Sequence, residues 1–132
     1  MLTLIENEYA TLIVYPEKGI VHHTFHKSIT GQDFQDVFLK GAEVFEKYKC
    51  TKWLSDDRNS AALKHSDITW AQEYWEPQIL KAGWKYWALL MTGSAVGQMS
   101  MKRIVERYMD MGVEVKLFID ADAAMEWLEN QK

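Results

Sequence analysis

One cysteine, Cys50, is all the chain has, so no intramolecular disulfide can form and a reducing compartment, the cytoplasm, is expected. The only prolines are Pro16 and Pro77 and the glycines are scattered, so there is no linker, repeat array or low-complexity segment. Basic clusters are missing too. No Lys/Arg run exceeds two residues, and 15 Lys and Arg against 19 Asp and Glu leave a net charge of −4. Nucleic-acid partners are therefore not expected, because affinity for a phosphate backbone rests on clustered cations. The longest stretch without a charge, between Lys85 and Lys102, holds Thr92, Gly93, Ser94, Gly97, Gln98 and Ser100. It is too short and too polar for a bilayer span of about 20 apolar residues, so no integral membrane association is expected. The first charges are Glu6 and Glu8, where a secretory signal would carry cations. What is present is the length and composition of one globular domain over residues 1–132, at 48% hydrophobic and 26% charged.

Tyr9 to Tyr15 and Ile20 to His26 are rich in β-branched and aromatic residues, and Pro16-Glu17-Lys18-Gly19 between them has turn chemistry. This predicts an antiparallel hairpin. Thr30 and Asp33 stand in capping-box spacing before a helix whose Phe34, Val37, Phe38, Gly41, Phe45 and Tyr48 recur at three and four. A short strand is expected over Lys52 to Asp56. A second helix is expected from Ser66 or Asp67 to about Ala82, with Gly83 as its stop. Trp84 to Met91 is apolar on both faces and predicts a strand in the middle of the sheet. A third helix carries Met101, Ile104, Tyr108 and Met111 and ends at Gly112. An edge-like strand follows with Val113, Val115, Leu117 and Ile119, and a last helix runs from about Asp120. A hairpin followed by alternating helices and strands gives an α/β class. The sheet is mixed, antiparallel at its N-terminal hairpin and parallel later, with about four helices.

His22, His23 and His26 invite a metal reading. However, His22 and His26 lie roughly 13 Å apart at 3.3 Å per residue, and His23 points to the opposite face, so no metal site is expected. No cofactor fingerprint, Walker loop or nucleophile elbow occurs, and Gly93-Ser94-Ala95-Val96-Gly97 lacks the lysine of a phosphate loop. An enzyme is not expected. The polar loop Ser55-Asp56-Asp57-Arg58-Asn59-Ser60 follows a strand and precedes a helix, the position where open α/β sheets bind ligands. Asp57, Arg58, Asn59 and Ser60 are accordingly candidate recognition residues. The bland alternative is a turn in which Asp57 caps amides and Arg58 pairs with a nearby carboxylate. On a helical wheel Ile68, Ala71, Trp75, Ile79 and Ala82 share one side while Trp70, Tyr74 and Pro77 lie opposite. Trp70 and Tyr74 are therefore candidates for a partner-facing surface, unless Pro77 shifts the helix phase. Met99, Met101, Met109 and Met111 either fill core or line an adaptable groove.

The order of elements resembles the STAS superfamily in its SpoIIAA-like branch, known mostly from uncharacterised bacterial proteins. The residues that carry the likeness are Trp53-Leu54-Ser55-Asp56-Asp57-Arg58-Asn59, Trp70, Trp75-Glu76-Pro77, Gly83-Trp84-Lys85-Tyr86-Trp87-Ala88 and Ala124-Met125-Glu126-Trp127-Leu128. The resemblance implies a small sheet packed with helices, acting as a non-enzymatic regulatory or protein-interaction module. It also implies relatives of similar topology that carry lipids. The superfamily's phosphorylated serine sits in an Asp-Ser-Ser/Thr-Gly context. Here Asp57-Arg58-Asn59-Ser60-Ala61 departs from that pattern, so Ser60 is not expected to be an obligatory phosphoswitch.

Two functions follow as expectations. In the first, the chain is an interaction module that meets a protein partner or itself, as a homodimer, through the Asp57 to Ser60 loop and the Trp70/Tyr74 face. In the second, it carries or senses a small apolar, lipid-like ligand in a pocket of aromatic and Met side chains. An enclosed apolar cavity would favour the second, and a filled core with an apolar outer patch the first.

Overall fold

Tyr15 and Ile20 are joined by a turn in which the amides of Lys18 and Gly19 both donate to the Tyr15 carbonyl. Gly19 leaves that turn at φ +67°, a region open to glycine at little cost. The expected hairpin thus forms, from β2 (Ala10–Tyr15) and β3 (Ile20–Phe25). The structure, a computed structural model, describes residues 1–60, 63–94 and 101–132, with the backbone alone for 101–104. One strand is added and one changes place. Leu2–Glu6 adds a strand, β1, antiparallel to β2 with a register irregularity between Thr3 and Ile5. Its outer, largely exposed position gave the sequence no burial alternation to display. The strand expected in the middle of the sheet, β5 (Tyr86–Leu90), is instead next to the edge. The six strands run in order β1-β2-β3-β4-β5-β6, with β4 (Lys52–Asp56) inside and β6 (Glu114–Phe118) at the parallel edge. β5 is nevertheless apolar on both faces because helices cover both.

Helix α1 (Gly31–Lys47) packs against β2 and β3. The Thr30 side chain makes no cap. The Gly31 amide donates instead to Asp67 Oδ1 at 3.2 Å, so the orphan donor is satisfied by a residue 36 positions away. The expected second helix is three consecutive segments: α2 (His65–Trp70), a π-helical turn over Ala71–Trp75, and α3 (Glu76–Lys81). Helix α4 (Met101–Asp110) ends where Gly112 adopts φ +86°. Helix α5 (Ala121–Glu129) opens with Asp120 accepting from the Ala123 amide at 2.8 Å.

Alternation sorts the strand residues between two unequal cores. Val21, Phe25, Trp53, Leu89, Val115 and Leu117 face α1 and its neighbours, while Ile20, Leu54 and Ala88 face Ala124 and Leu128 of α5. Gly41 of α1 lies directly over Trp53. A Cβ there would fall inside contact distance of the indole ring, so this helix tolerates glycine in its interior in exchange for close approach. Among the described residues no helix is long and apolar enough to cross a membrane.

Candidate functional site

The parallel register sets His23 beside Ser55 and Ser55 beside Leu89, all on the α1 side of the sheet. Asp57 extends the β4 alternation by one more inward position, because its amide continues the ladder to the Leu90 carbonyl at 2.9 Å. Over these rows, at the carboxyl ends of the parallel strands, lies a cavity of about 590 Å³. Its apolar walls are Phe25, Phe34, Phe38, Leu63, Ile68, Ala71, Trp75, Trp84, Trp87, Leu89 and Met91. Its polar lining is His23, Ser55, Asp57, Ser60, Gln72, Glu76, Arg107 and Tyr108.

His23 is 1% exposed and stacks on Phe25 at 4.3 Å. The Trp53 indole N–H donates to His23 Nδ1 at 3.0 Å, and His23 Nε2 lies 2.9 Å from Asp57 Oδ1. An indole nitrogen only donates, so Nδ1 is bare and the ring proton sits on Nε2, pointing at the Asp57 carboxylate. Both nitrogens are thereby committed. Glu76, 6% exposed, accepts from Arg107 at 3.1 Å and from the Tyr108 hydroxyl at 3.2 Å. Burial, reinforced by the Glu76 charge, pushes the Tyr108 phenol up to about 12. Trp87 donates to Ser55 Oγ at 2.9 Å and Trp84 to the Tyr86 carbonyl at 3.1 Å, so these two indoles present ring surface and no free donor. The Trp75 indole N–H is buried without a hydrogen-bond partner.

Of the residues singled out from sequence, Asp57 and Ser60 line the cavity. Arg58 does not. It turns to the opposite side of the chain and grips the buried Asp56 through two bonds of 3.0 and 2.9 Å. Asn59 is exposed in the turn closed by the Ser60 amide on the Asp57 carbonyl. Trp70 is half-buried, its ring edge-on to Phe34 at 6.2 Å, and Tyr74 beside it is 64% exposed. The wheel had placed Ile68 in the core, yet it is 38% exposed and reaches the cavity rim. The π-turn at Ala71–Trp75 widens the helix just before Pro77 and changes the phase between Ile68 and Trp75. Met91 supplies the methionine of the lining, whereas Met109 is exposed. Met99, the Met101 side chain and the Ala95 to Gly97 stretch lie outside the described residues.

Sequence reasoning weighed His23 only as a metal ligand, and assigned no site role to Glu76, Arg107 or the Trp84/Trp87 pair. His23 carried a usable signal, since an inward histidine between Val21 and Phe25 demands a buried polar partner. Glu76 carried none, its partners lying 31 and 32 positions away. His22 and His26 sit apart from the cavity; burial lowers the His22 ring to about 4, and His26 meets Thr11. Burial pushes the Cys50 thiol up to about 11. Among the described residues no three His, Cys, Asp or Glu side chains are grouped for a metal ion.

No protein-family model and no curated protein matches the chain. Among solved structures it is similar to an uncharacterised protein of the DUF3478 family from Shewanella loihica PV-4, described as having a SpoIIAA-like fold. The TM-score is 0.60 at 14% identity, over 95% of this chain and 98% of that one. The chain therefore has the SpoIIAA-like fold, with antiparallel β1 to β3 and parallel strands beyond.

Proposed function

With a SpoIIAA-like fold as the premise, we propose that the protein is a non-enzymatic regulatory module that senses or carries a small, largely apolar ligand. The observation that carries this is the cavity of about 590 Å³, roofed by helices at the carboxyl ends of β3, β4 and β5. Ligand pockets typically span about 300–1,000 Å³, with mostly apolar walls and a few convergent polar groups. A non-enzymatic role is supported by the hydrogen bonding of His23 and Glu76. His23 has both nitrogens engaged, and Glu76 is held by Arg107 and Tyr108, so neither is poised to exchange a proton with a ligand.

The test is equilibrium titration with the neutral fluorescent probe N-phenyl-1-naphthylamine. Saturable 1:1 binding is expected, and it should be lost in Ala71→Phe, which fills the cavity from its wall, while the variant still melts cooperatively. Absence of saturable binding, or undiminished binding by folded Ala71→Phe, would overturn the proposal.

A second reading, docking of a protein partner or a second copy, draws on Tyr74 and Ile68, which are 64% and 38% exposed on the same helical segment. Aromatic anchors of this kind are common at interface hot spots.

A further inference from the structure

Among the described residues, one charge in the cavity has no cationic partner. Arg107 and Glu76 neutralise each other, and Arg58 is spent on Asp56. His23 donates a hydrogen bond to Asp57 Oδ1, but its Trp53-fixed tautomer is neutral and brings no positive charge. Asp57 Oδ2 takes no hydrogen bond from any described residue, and the side chain is 22% exposed. Around the same cavity stand Trp75, Trp84, Trp87 and Tyr108, in mutual edge and tilted contact at 5.0 to 5.7 Å between ring centres. Aromatic faces carry negative electrostatic potential and attract cations, most strongly where water is excluded. An anion would meet both that potential and the Asp57 charge. A neutral apolar ligand is held by the apolar walls alone and gains nothing from the carboxylate. A cation is the one ligand charge that both the Asp57 carboxylate and the tryptophan faces favour.

Building on the cavity as a ligand site, we propose that it is selective for organic cations. The preferred ligand is a quaternary ammonium or protonated amine carrying an apolar or aromatic body, with Asp57 as its counter-ion and the tryptophan and tyrosine rings as its wall. His23 acts as a positioning residue: its N–H holds the carboxylate in the cavity without neutralising it.

The experiment compares two ligands of one shape, benzyltrimethylammonium and its uncharged isostere neopentylbenzene, titrated into the intact protein and followed by tryptophan fluorescence. The cation is expected to bind about tenfold more tightly or better, consistent with the range of cation–π and paired-charge contributions. Asp57→Asn keeps an acceptor for His23 and should reduce that preference to within about twofold while the neutral ligand binds as before. Equal affinity of the two ligands for the wild type overturns the cation assignment and leaves the cavity reading standing. A preference that survives in Asp57→Asn overturns the role of Asp57. No saturable binding of either ligand to folded protein overturns this proposal and the ligand-binding reading together. The wild-type comparison stands even if the variant fails to fold.

Discussion

At the scale of single residues, His23 is a buried histidine whose tautomer is set by a tryptophan. Trp53→Phe keeps an aromatic ring under Gly41 but removes the donor to His23 Nδ1, leaving a buried acceptor unpaired. A loss of about 1–3 kcal/mol is expected in denaturant melts. Nitrogen shifts of His23 in the wild type should show one protonated and one bare ring nitrogen; two averaged shifts would contradict the assigned tautomer. His22, one position away on the other face, makes the opposite kind of statement. Burial, then the neighbouring His23, depresses its ring from 6.5 to about 4. The unfolded chain therefore binds this proton at a pH where the folded chain does not. Stability from this group is complete above about pH 6.5 and is lost as pH falls towards about 4. With a largely buried ring the loss is about 2–3 kcal/mol. Urea melts of wild type and His22→Gln should converge at low pH, and parallel pH profiles would count against the shift. The local sequence announced that His23 faces inward but not which partners meet it, because strand alternation gives a face and not the partner on it.

At the scale of elements, the hairpin, α1 and the parallel strands were legible because each is announced within its own span. Pro16 to Gly19 makes the turn, and Phe34, Val37, Phe38 and Phe45 make the buried stripe. The segment from His65 to Lys81 was not, since an α-helical wheel assumes a constant phase that the π-turn at Ala71–Trp75 breaks. The consequence divides two residues that the wheel had grouped. Trp70 packs on Phe34 and belongs in part to the core, whereas Tyr74 is mostly in solvent. Trp70→Ala should cost about 1–3 kcal/mol of folding stability. Tyr74→Ala should stay within about 0.5 kcal/mol. If the Tyr74 face docks a second copy, light scattering should show a wild-type dimer that dissociates in folded Tyr74→Ala; a monomeric wild type would rule out that use of the face.

At the scale of the molecule, the sheet is covered unequally. α5 seals one face with Ala124 and Leu128, while α1 and the α2 to α4 segments cover the other without filling it at the carboxyl ends of the strands. The position of that gap was legible from strand order and the polar loop after β4, which is how Asp57 and Ser60 were found. Its composition was not, because the lining is gathered from three strands, β3, β4 and β5, and from helical segments far apart in the chain. The six tryptophans offer a direct test, since each indole N–H is a separate reporter. Trp75, Trp84 and Trp87 line the cavity, and Trp127 lies on the α5 side against Phe118 and Tyr86. In a nitrogen–proton correlation spectrum titrated with N-phenyl-1-naphthylamine, the indole signals of Trp75, Trp84 and Trp87 should move saturably and together while that of Trp127 stays in place. Stationary signals from the three cavity tryptophans, or equal movement of Trp127, would contradict a ligand site in this cavity.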